Sequence, residues 1–355
     1  MHSPQQKFDL IRLLRSKNID LNIIIELIKK GECPSQIIKR LIKSGFNNIA
    51  CEKSIETELV NITKYDAKII TIFDENYPFL LSNINNPPLI LTIKGNIDLF
   101  KEQLIAIVGA RNASYNAMNF ARKISYEISQ HNIVTVSGLA RGIDSAVHDS
   151  SINHRSIAVI AGGINNIYPK CNKYLYELIA SNGLIISESC FNDPPLPQKF
   201  ISRNRIISGL SMAIIIIEAG IRSGSLSTAN FANNQGRYVF AVPGAPYDDR
   251  SKGSNNLIRD GAIMLESIND IFNELEFIKE KTNNIKDEFL PKDTNIDLNE
   301  SAILKILDCN GVPLEYLIYK LKANIPDINS ILINLELKNK IYYQGGKIYL
   351  KKNIF

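Results

Sequence analysis

The sequence predicts an α/β protein built on a parallel, doubly wound sheet of about six strands, and two observations carry the prediction. Between residues 104 and 265, brief apolar runs alternate with stretches long enough for a helix. These runs are continuously apolar, as expected for strands that are covered on both faces of a sheet. Together the two patterns indicate a Rossmann-like architecture.

Before that region, residues 1–65 predict a small helical domain, because apolar residues recur there at helical spacing. From Ile69 the pattern changes to a short apolar run, a loop interrupted by Pro87 and Pro88, and a second apolar run at residues 89–93. Such a segment should lead into a sheet. We therefore assign residues 66–273 to the sheet domain.

Between residues 104 and 265, predicted strands alternate with helix-length stretches. The predicted strands are LIAIV, IVTV, SIAVI, LIIS, MAIIIIE and YVFAV, and helices are predicted at residues 116–130, 143–151, 172–181 and 225–235. In an open parallel sheet, ligands bind at the carboxyl ends of the strands, above all where the strand order reverses. Candidate functional residues are therefore expected in the loops that follow the strands.

The C-terminal part of the chain predicts a linker and a further small domain. Residues 274–299 are rich in Glu, Lys, Asn and Asp, which favours a linker. Residues 300–355 predict three helices and a hairpin around Gly345 and Gly346, an arrangement typical of a winged-helix-like domain. Residues 301–355 contain eight lysines and four acidic residues, and this excess of positive charge is as compatible with a solvated surface as with nucleic-acid contact.

Composition excludes several classes of protein. The 355 residues carry a net charge of only +5, so a phosphate-binding surface has to be a local patch. The N-terminus lacks a signal-peptide pattern and the apolar runs are strand-sized, which predicts a cytoplasmic protein without membrane spans. The five cysteines are scattered without a CxxC pair, and the four histidines have no ligand spacing. No disulfide framework, metal or cofactor is therefore expected.

Four loops after predicted strands combine glycine with hydroxyl or cationic residues. Glycine permits close backbone approach, and the free N–H groups and dipole at a helix start favour an anion. Each loop alone is also compatible with a helix cap and a tight turn. The candidate phosphate-binding residues are Arg111; Ser137, Gly138, Arg141 and Gly142; Lys170; and Ser223, Gly224 and Ser225.

A fifth stretch brings cations and an aromatic residue together between a proline-rich loop and an apolar helix. Its candidate residues are Lys199, Phe200, Arg203, Asn204 and Arg205. Lysine and arginine can contact phosphates while phenylalanine stacks on an unpaired base, which is the usual chemistry of single-strand binding. The alternative is that Phe200 fills the core and the arginines form salt bridges.

The sequence contains no catalytic set. The motifs GxSxG, GxxxxGK[ST] and HExxH are absent, and GxGxxG is not matched after the first strand. The carboxylates near the predicted rim are Asp144, Glu188 and Glu218. We expect them to cap helices or to pair with the arginines at positions 111, 141 and 203, because buried arginines need partners.

Several motifs together resemble the DprA/Smf (DNA processing protein A) family in order and spacing, from Tyr77 to Ala262. They are IAIVGAR, SGLARGIDSAVH, IAVIAGGINNIYPKCN, FISRNRIISGLS, IIIEAGIRSGSLSTA, GRYVFAVPGAP and GSNNLIRDGA. One departure is Ile201, where the family usually has proline. The N-terminal region resembles the family's small helical domain (SAM- or helix-hairpin-helix-like), and the C-terminus resembles its winged-helix domain.

The resemblance implies an extended Rossmann-like fold and a non-enzymatic function. Family members bind and protect single-stranded DNA in a basic pocket, help to load the RecA recombinase during natural transformation and recombination, and act as dimers. The resemblance assigns the pocket to Arg111, the loop 137–144, Lys199 with Phe200, the arginines of the RNR motif and the loop 223–225. The alternative is a nucleoside-monophosphate phosphoribohydrolase-type enzyme, whose phosphate loop is followed by a glutamate; here Ala229 and Asn230 stand there.

Overall fold

The computed structural model describes residues 4–151, 155–275, 300–307, 312–321, 325–338, 340–344 and 347–351. The predicted linker 274–299 lies outside the described residues except for its first two positions, as do Gly345 and Gly346 of the predicted hairpin. Among the helices that are described, none is both long and apolar enough to cross a bilayer.

Four helices form the N-terminal part: α1 (Pro4–Arg15), α2 (Leu21–Lys29), α3 (Pro34–Lys43) and α4 (Glu52–Lys64). Their apolar residues, such as Leu10 and Ile37, are buried in one cluster with Ile160, Tyr176 and Ile185 of the sheet domain. The helices therefore pack directly against one face of the sheet, and the apolar core continues from one to the other.

From β3 onward, the central region alternates strands and helices as the sequence predicts. Its elements are β1 (Lys68–Thr71), α5 (Phe79–Ser82), β2 (Ile90–Gly95), β3 (Gln103–Gly109), α6 (Tyr115–Gln130), β4 (Ile133–Ser137), α7 (Ile143–Ser151), β5 (Ser156–Ile160), α8 (Lys173–Asn182), β6 (Leu184–Ser187), α9 (Pro197–Leu210), β7 (Ala213–Ile217), α10 (Ser225–Asn234), β8 (Tyr238–Ala241), α11 (Lys252–Arg259), β9 (Ile263–Met264) and α12 (Ile268–Glu274). The nine strands lie in the order β1-β2-β6-β5-β4-β3-β7-β8-β9. Of the eight strand pairs described in this sheet, β1/β2 and β2/β6 are antiparallel and the other six are parallel, which confirms the α/β class with a mostly parallel sheet.

Strand β3 shows why the apolar runs are continuous. Its residues Leu104 and Val108 lie in the cluster under α9 and α10, whereas Ile105 and Ile107 lie in the cluster under α6 and α7. Successive side chains of a strand point to opposite faces, and here both faces are covered by helices.

The order of the strands in the sheet reverses at β3. From β3 the chain proceeds through β4, β5 and β6 on one side, then returns to β7 on the other side, so β3 pairs with both β4 and β7. The carboxyl ends of β3 and β7 lie together at this reversal, and a Cβ at Gly109 would stand 1.9 Å from the carbonyl oxygen of Ile217. Loops that diverge at such a point leave a crevice for a ligand.

The C-terminal elements are α13 (Glu300–Ile306), β10 (Val312–Pro313), α14 (Leu314–Leu321), α15 (Ile325–Leu337), β11 (Ile341–Gln344) and β12 (Lys347–Leu350). The three strands pair antiparallel in the order β10-β12-β11. A separate apolar cluster, which includes Leu317, Leu332 and Ile348, forms their core.

Candidate nucleic-acid interface

The loop after β3 presents Arg111 to solvent and is anchored by Glu218, the first residue after β7. The Ser114 hydroxyl caps α6 by accepting from the N–H of Ala117 at 3.1 Å, and the Ser114 N–H donates to Glu218 Oε2 at 2.6 Å. Glu218 is 7% exposed and has a φ of +49°, a left-handed conformation that is costly for a residue with a side chain. Its carboxylate therefore holds two loops together at the strand reversal.

Of the candidate residues at the end of β4 and in the loop after it, some are buried and others are exposed. The buried Ser137 hydroxyl donates to the carbonyl of Ile107 at 2.7 Å, whereas Arg141 is exposed. Gly142 has a φ of +75°, and a Cβ there would lie 2.3 Å from the carbonyl oxygen of Ala110. Glycine therefore lets this loop contact the loop after β3.

Helix α9 contains the whole cationic stretch, because the helix already begins at Pro197. Proline suits a first helical position, since its missing N–H would have no helical partner and its φ is already helical. Lys199 and Phe200 lie in the first turn and are half-buried, whereas Arg203 and Arg205 lie one turn further on and are 6% and 8% exposed. The helix thus separates the candidates into surface and interior residues.

At the surface, Arg111, Phe200 and Tyr168 form an aromatic and cationic cluster. The guanidinium carbon of Arg111 lies 4.9 Å from the centroid of the Phe200 ring, and the Tyr168 ring meets Phe200 edge-on at 5.5 Å. Tyr168 is 49% exposed and precedes the exposed Lys170 by two residues. Tyr168 is a site candidate that the sequence analysis missed, although its place in a loop beyond a strand was a usable signal.

Beside this cluster, the Nζ atom of Lys199 lies 2.6 Å from Oδ2 of Asp193. Their side chains are 26% and 38% exposed, so the ion pair remains in contact with solvent. Because an ammonium group has three donors, Lys199 can bind a phosphate while Asp193 still holds it in position.

The buried Arg203 fixes the base of the site. Its Nη1 atom donates to the Gly138 carbonyl at 2.6 Å and also to the Val159 carbonyl. Burial lowers the pKa of Arg203 to about 10, with Asp144 acting to raise it and Arg111 to lower it further. The guanidinium therefore stays charged at neutral pH.

The neighbours of Arg203 in α9 join the helix to two other loops. Arg205 pairs with Oε1 of Glu188 at the end of β6. The Asn204 amide donates to the Gly224 carbonyl at 3.2 Å and to the Ser227 hydroxyl at 2.9 Å. The remaining loop residues, Ser223 and Ser225, share a hydrogen bond of 2.7 Å between their hydroxyls, and Gly224 between them is exposed.

Two buried titratable groups lie under the second loop. Burial raises the pKa of Asp144, although the charge of Arg203 opposes that shift. Burial lowers the pKa of His148 to about 3, and the charge of Arg203 acts in the same direction. His148 Nδ1 lies 2.7 Å from the Ser156 hydroxyl, so His148 is a neutral part of the core near pH 7.

Comparison with known proteins identifies the family. The family model described as "DNA recombination-mediator protein A" matches residues 68–276, more than half of the chain. The chain belongs to this family, DprA/Smf. It is 41% identical to DNA processing protein DprA of Streptococcus pneumoniae over 240 residues, which cover 66% of this chain and 85% of that protein. Protein Smf of Escherichia coli is 31% identical over 84% of this chain and 82% of its own length.

Two solved structures of the family share the architecture. The crystal structure of DprA from Streptococcus pneumoniae matches with a TM-score of 0.65 at 32% identity, over 75% of this chain and 97% of that one. DprA from Helicobacter pylori matches with a TM-score of 0.55 at 28% identity, over 59% of this chain and 96% of that one. The study of the Helicobacter pylori protein describes its mode of binding single-stranded DNA.

The buried histidine makes stability depend on pH. Unfolded histidine takes up a proton below pH 6.5, whereas folded His148 does so only near pH 3, so its contribution to stability is lost as the pH falls through that window. Between pH 7 and pH 5 we expect wild type to lose about 2 kcal/mol more unfolding free energy than His148→Asn does. Urea unfolding at both pH values measures the difference, and equal losses in the two proteins would contradict it.

Proposed function

We propose that this protein binds single-stranded DNA at the rim of its parallel sheet and acts as a recombination mediator that protects the strand. The observation that carries the proposal is the contact of Arg111 with Phe200 beside the exposed Tyr168. An aromatic surface with an adjacent guanidinium suits unpaired bases and their phosphates, because every base offers a π-face. Membership in the family, which includes the single-strand-binding Helicobacter pylori protein, supports the same conclusion.

In this proposal the predicted residues have two roles. The accessible ones contact the strand: Arg111, Arg141, Lys170 and Lys199 its phosphates, Phe200 and Tyr168 its bases, and Gly224 with the neighbouring Ser223 a further phosphate. The others shape the rim: the buried Ser137, Gly138, Arg203, Asn204, Arg205 and Ser225, and the half-buried Gly142. Binding through phosphates should be strongly salt-dependent and nearly independent of base sequence.

The carboxylates at the rim favour a binding protein over an enzyme. Glu218 accepts from the Ser114 N–H, Glu188 pairs with Arg205, and Asp144 is buried near Arg203. Each is engaged in holding the loops, whereas a catalytic acid or base has to reach its substrate. The hydrolase-type alternative is not favoured, since Ala229 and Asn230 follow the serine loop.

We further propose a cytoplasmic, modular protein, in line with that function. Residues 1–65 would form a helical domain, residues 66–273 the DNA-binding domain and residues 300–355 a winged-helix-like domain. The short antiparallel sheet beside helices α13 to α15 supports the last assignment.

We also infer that the protein acts as a homodimer and loads RecA. Two linked sites on one strand would gain avidity, because the second contact forms at high effective concentration. Sedimentation with a labelled oligonucleotide should show two copies per strand. On DNA covered by single-strand-binding protein, RecA strand exchange should become faster when this protein is added. A monomeric protein would contradict the first inference, and an unchanged rate of strand exchange would contradict the second.

The charged contacts are tested by Arg111→Ala and Lys199→Ala. Each should weaken binding of a dT oligonucleotide at least about tenfold, because a charge-assisted contact is lost. Each should also reduce the slope of log affinity against log salt by about 0.7, the value for one phosphate contact on a single strand. Fluorescence anisotropy over a salt series, with matching duplex as competitor, measures both quantities.

The matched control is Lys101→Ala. Lys101 is 71% exposed and precedes β3, so it lies at the edge of the sheet opposite the candidate site. This variant should bind as wild type does. If all three variants bind equally well, or if duplex competes as well as single strand, the rim is not the DNA site.

The stacking contact is tested by Phe200→Ala. Loss of one base stacking on an aromatic ring should weaken binding by about 1–3 kcal/mol, a factor of about 5 to 150. The salt slope should not change, because no phosphate contact is removed. The same anisotropy titration separates this result from that of Lys199→Ala, and a reduced slope would show that Phe200 acts by orienting Arg111 instead.

A further inference from the structure

The loop between β6 and α9 is held by two residues of the N-terminal helices, Arg15 of α1 and Glu58 of α4. Glu58 Oε1 accepts from the Phe191 N–H at 3.2 Å and from Arg15 Nη2 at 3.0 Å. Arg15 Nη1 donates to the Glu188 carbonyl at 3.2 Å. The Arg15 and Glu58 side chains are only 12% and 11% exposed, so the pair is shielded from solvent much more than an ordinary surface ion pair.

The same loop leads directly to the proposed DNA contact. Two residues after Phe191, Asp193 closes a turn: its N–H donates to the Cys190 carbonyl at 3.0 Å, and its Oδ2 accepts from the Cys190 N–H at 3.3 Å. That same oxygen pairs with Lys199 Nζ at 2.6 Å. A displacement of the loop at Phe191 would therefore be passed through Asp193 to Lys199.

Apolar packing makes this attachment specific. Phe191 is 8% exposed and lies in the apolar cluster that the N-terminal helices share with the sheet. Its ring meets Tyr65, just beyond α4, edge-on at 5.7 Å. A Cβ at Gly163 would lie 2.1 Å from the Phe191 carbonyl oxygen, so the loop is also confined from the side of β5.

We propose that Arg15 and Glu58 are positioning residues for single-stranded DNA binding, which fix the loop that orients Lys199. The proposal rests on the proposed function, because it assumes that Lys199 contacts the strand. It assigns the N-terminal helices a direct part in DNA binding, beyond covering the sheet.

The polarity of the hydrogen bonds distinguishes this role from simple docking of the helices. Glu58 must accept from a main-chain N–H, and Arg15 must donate to a main-chain carbonyl. Glu58→Gln keeps an oxygen acceptor and should bind DNA within about twofold of wild type. The double change Arg15→Glu with Glu58→Arg keeps an ion pair between the two helices. However, it places an arginine donor opposite the Phe191 N–H and a glutamate acceptor opposite the Glu188 carbonyl, so neither main-chain hydrogen bond can form. It should therefore fail to restore binding.

The chain provides a matched control between the same two helices. Arg12 Nη1 pairs with Glu52 Oε1 at 2.7 Å, also between α1 and α4, and neither side chain contacts the loop 188–193 through a described hydrogen bond. Glu52→Ala should leave DNA affinity unchanged, whereas Glu58→Ala should not. Circular dichroism and thermal unfolding of every variant verify that it is folded.

The decisive measurement is dT oligonucleotide binding of Glu58→Ala in the wild-type and Lys199→Ala backgrounds, over a salt series. In wild type we expect about fivefold weaker binding and a lower salt slope, since one phosphate contact is impaired. In the Lys199→Ala background we expect no further loss, because the orientation of Lys199 no longer matters.

Each other outcome overturns the proposal. Equal losses in both backgrounds would mean that Glu58 acts on stability or on another contact. Normal binding by Glu58→Ala, together with weak binding by Lys199→Ala, would refute the positioning role and leave the proposed function standing. Normal binding by Lys199→Ala would remove the assumed DNA contact, so the positioning role would fall together with that part of the proposed function.

Discussion

The buried guanidinium of Arg203 donates hydrogen bonds to main-chain carbonyls of two neighbouring parallel strands, at or near their carboxyl ends. One carbonyl follows β4 at Gly138 and the other lies in β5 at Val159. Hydrogen bonds to fixed main-chain acceptors offset part of the cost of burying this charge, so the position of Arg203 is constrained. Because Arg203 lies one helical turn after Lys199, the same constraint fixes where α9 presents Lys199 and Phe200.

The neighbours of Arg203 are constrained in turn. A Cβ at position 138 would lie 2.2 Å from Arg203 Nη1, so the guanidinium occupies the space that a side chain would need. The same charge, together with burial, keeps His148 neutral. Burial lowers the pKa of Arg203, while the charge of Asp144 acts to raise it and the charge of Arg111 acts to lower it, so the buried and exposed arginines influence each other.

How much of this follows from the sequence depends on the element. The continuous apolar runs predicted β3 to β8, because a strand covered by helices on both faces has no polar side. The longer stretches between these runs predicted helices. Strand β9, of two residues, is too short for such a pattern. The place where α9 begins was also missed: the proline-rich loop hid that Pro197 is itself the first helical residue. Without the correct start of α9, the sequence could not show that Arg203 and Arg205 point inward while Lys199 stays near the surface.

By itself the sequence determined the fold class, the family and the set of loops that carry candidate residues, because periodicity and local motifs are properties of neighbouring positions. The tertiary structure decided which candidates reach solvent, as Arg111 does and Arg203 does not. It also brought Tyr168 to Phe200 and joined Glu58 to Phe191, across 133 positions in the chain. Such contacts depend on strand order and on helix packing, which local sequence patterns do not specify.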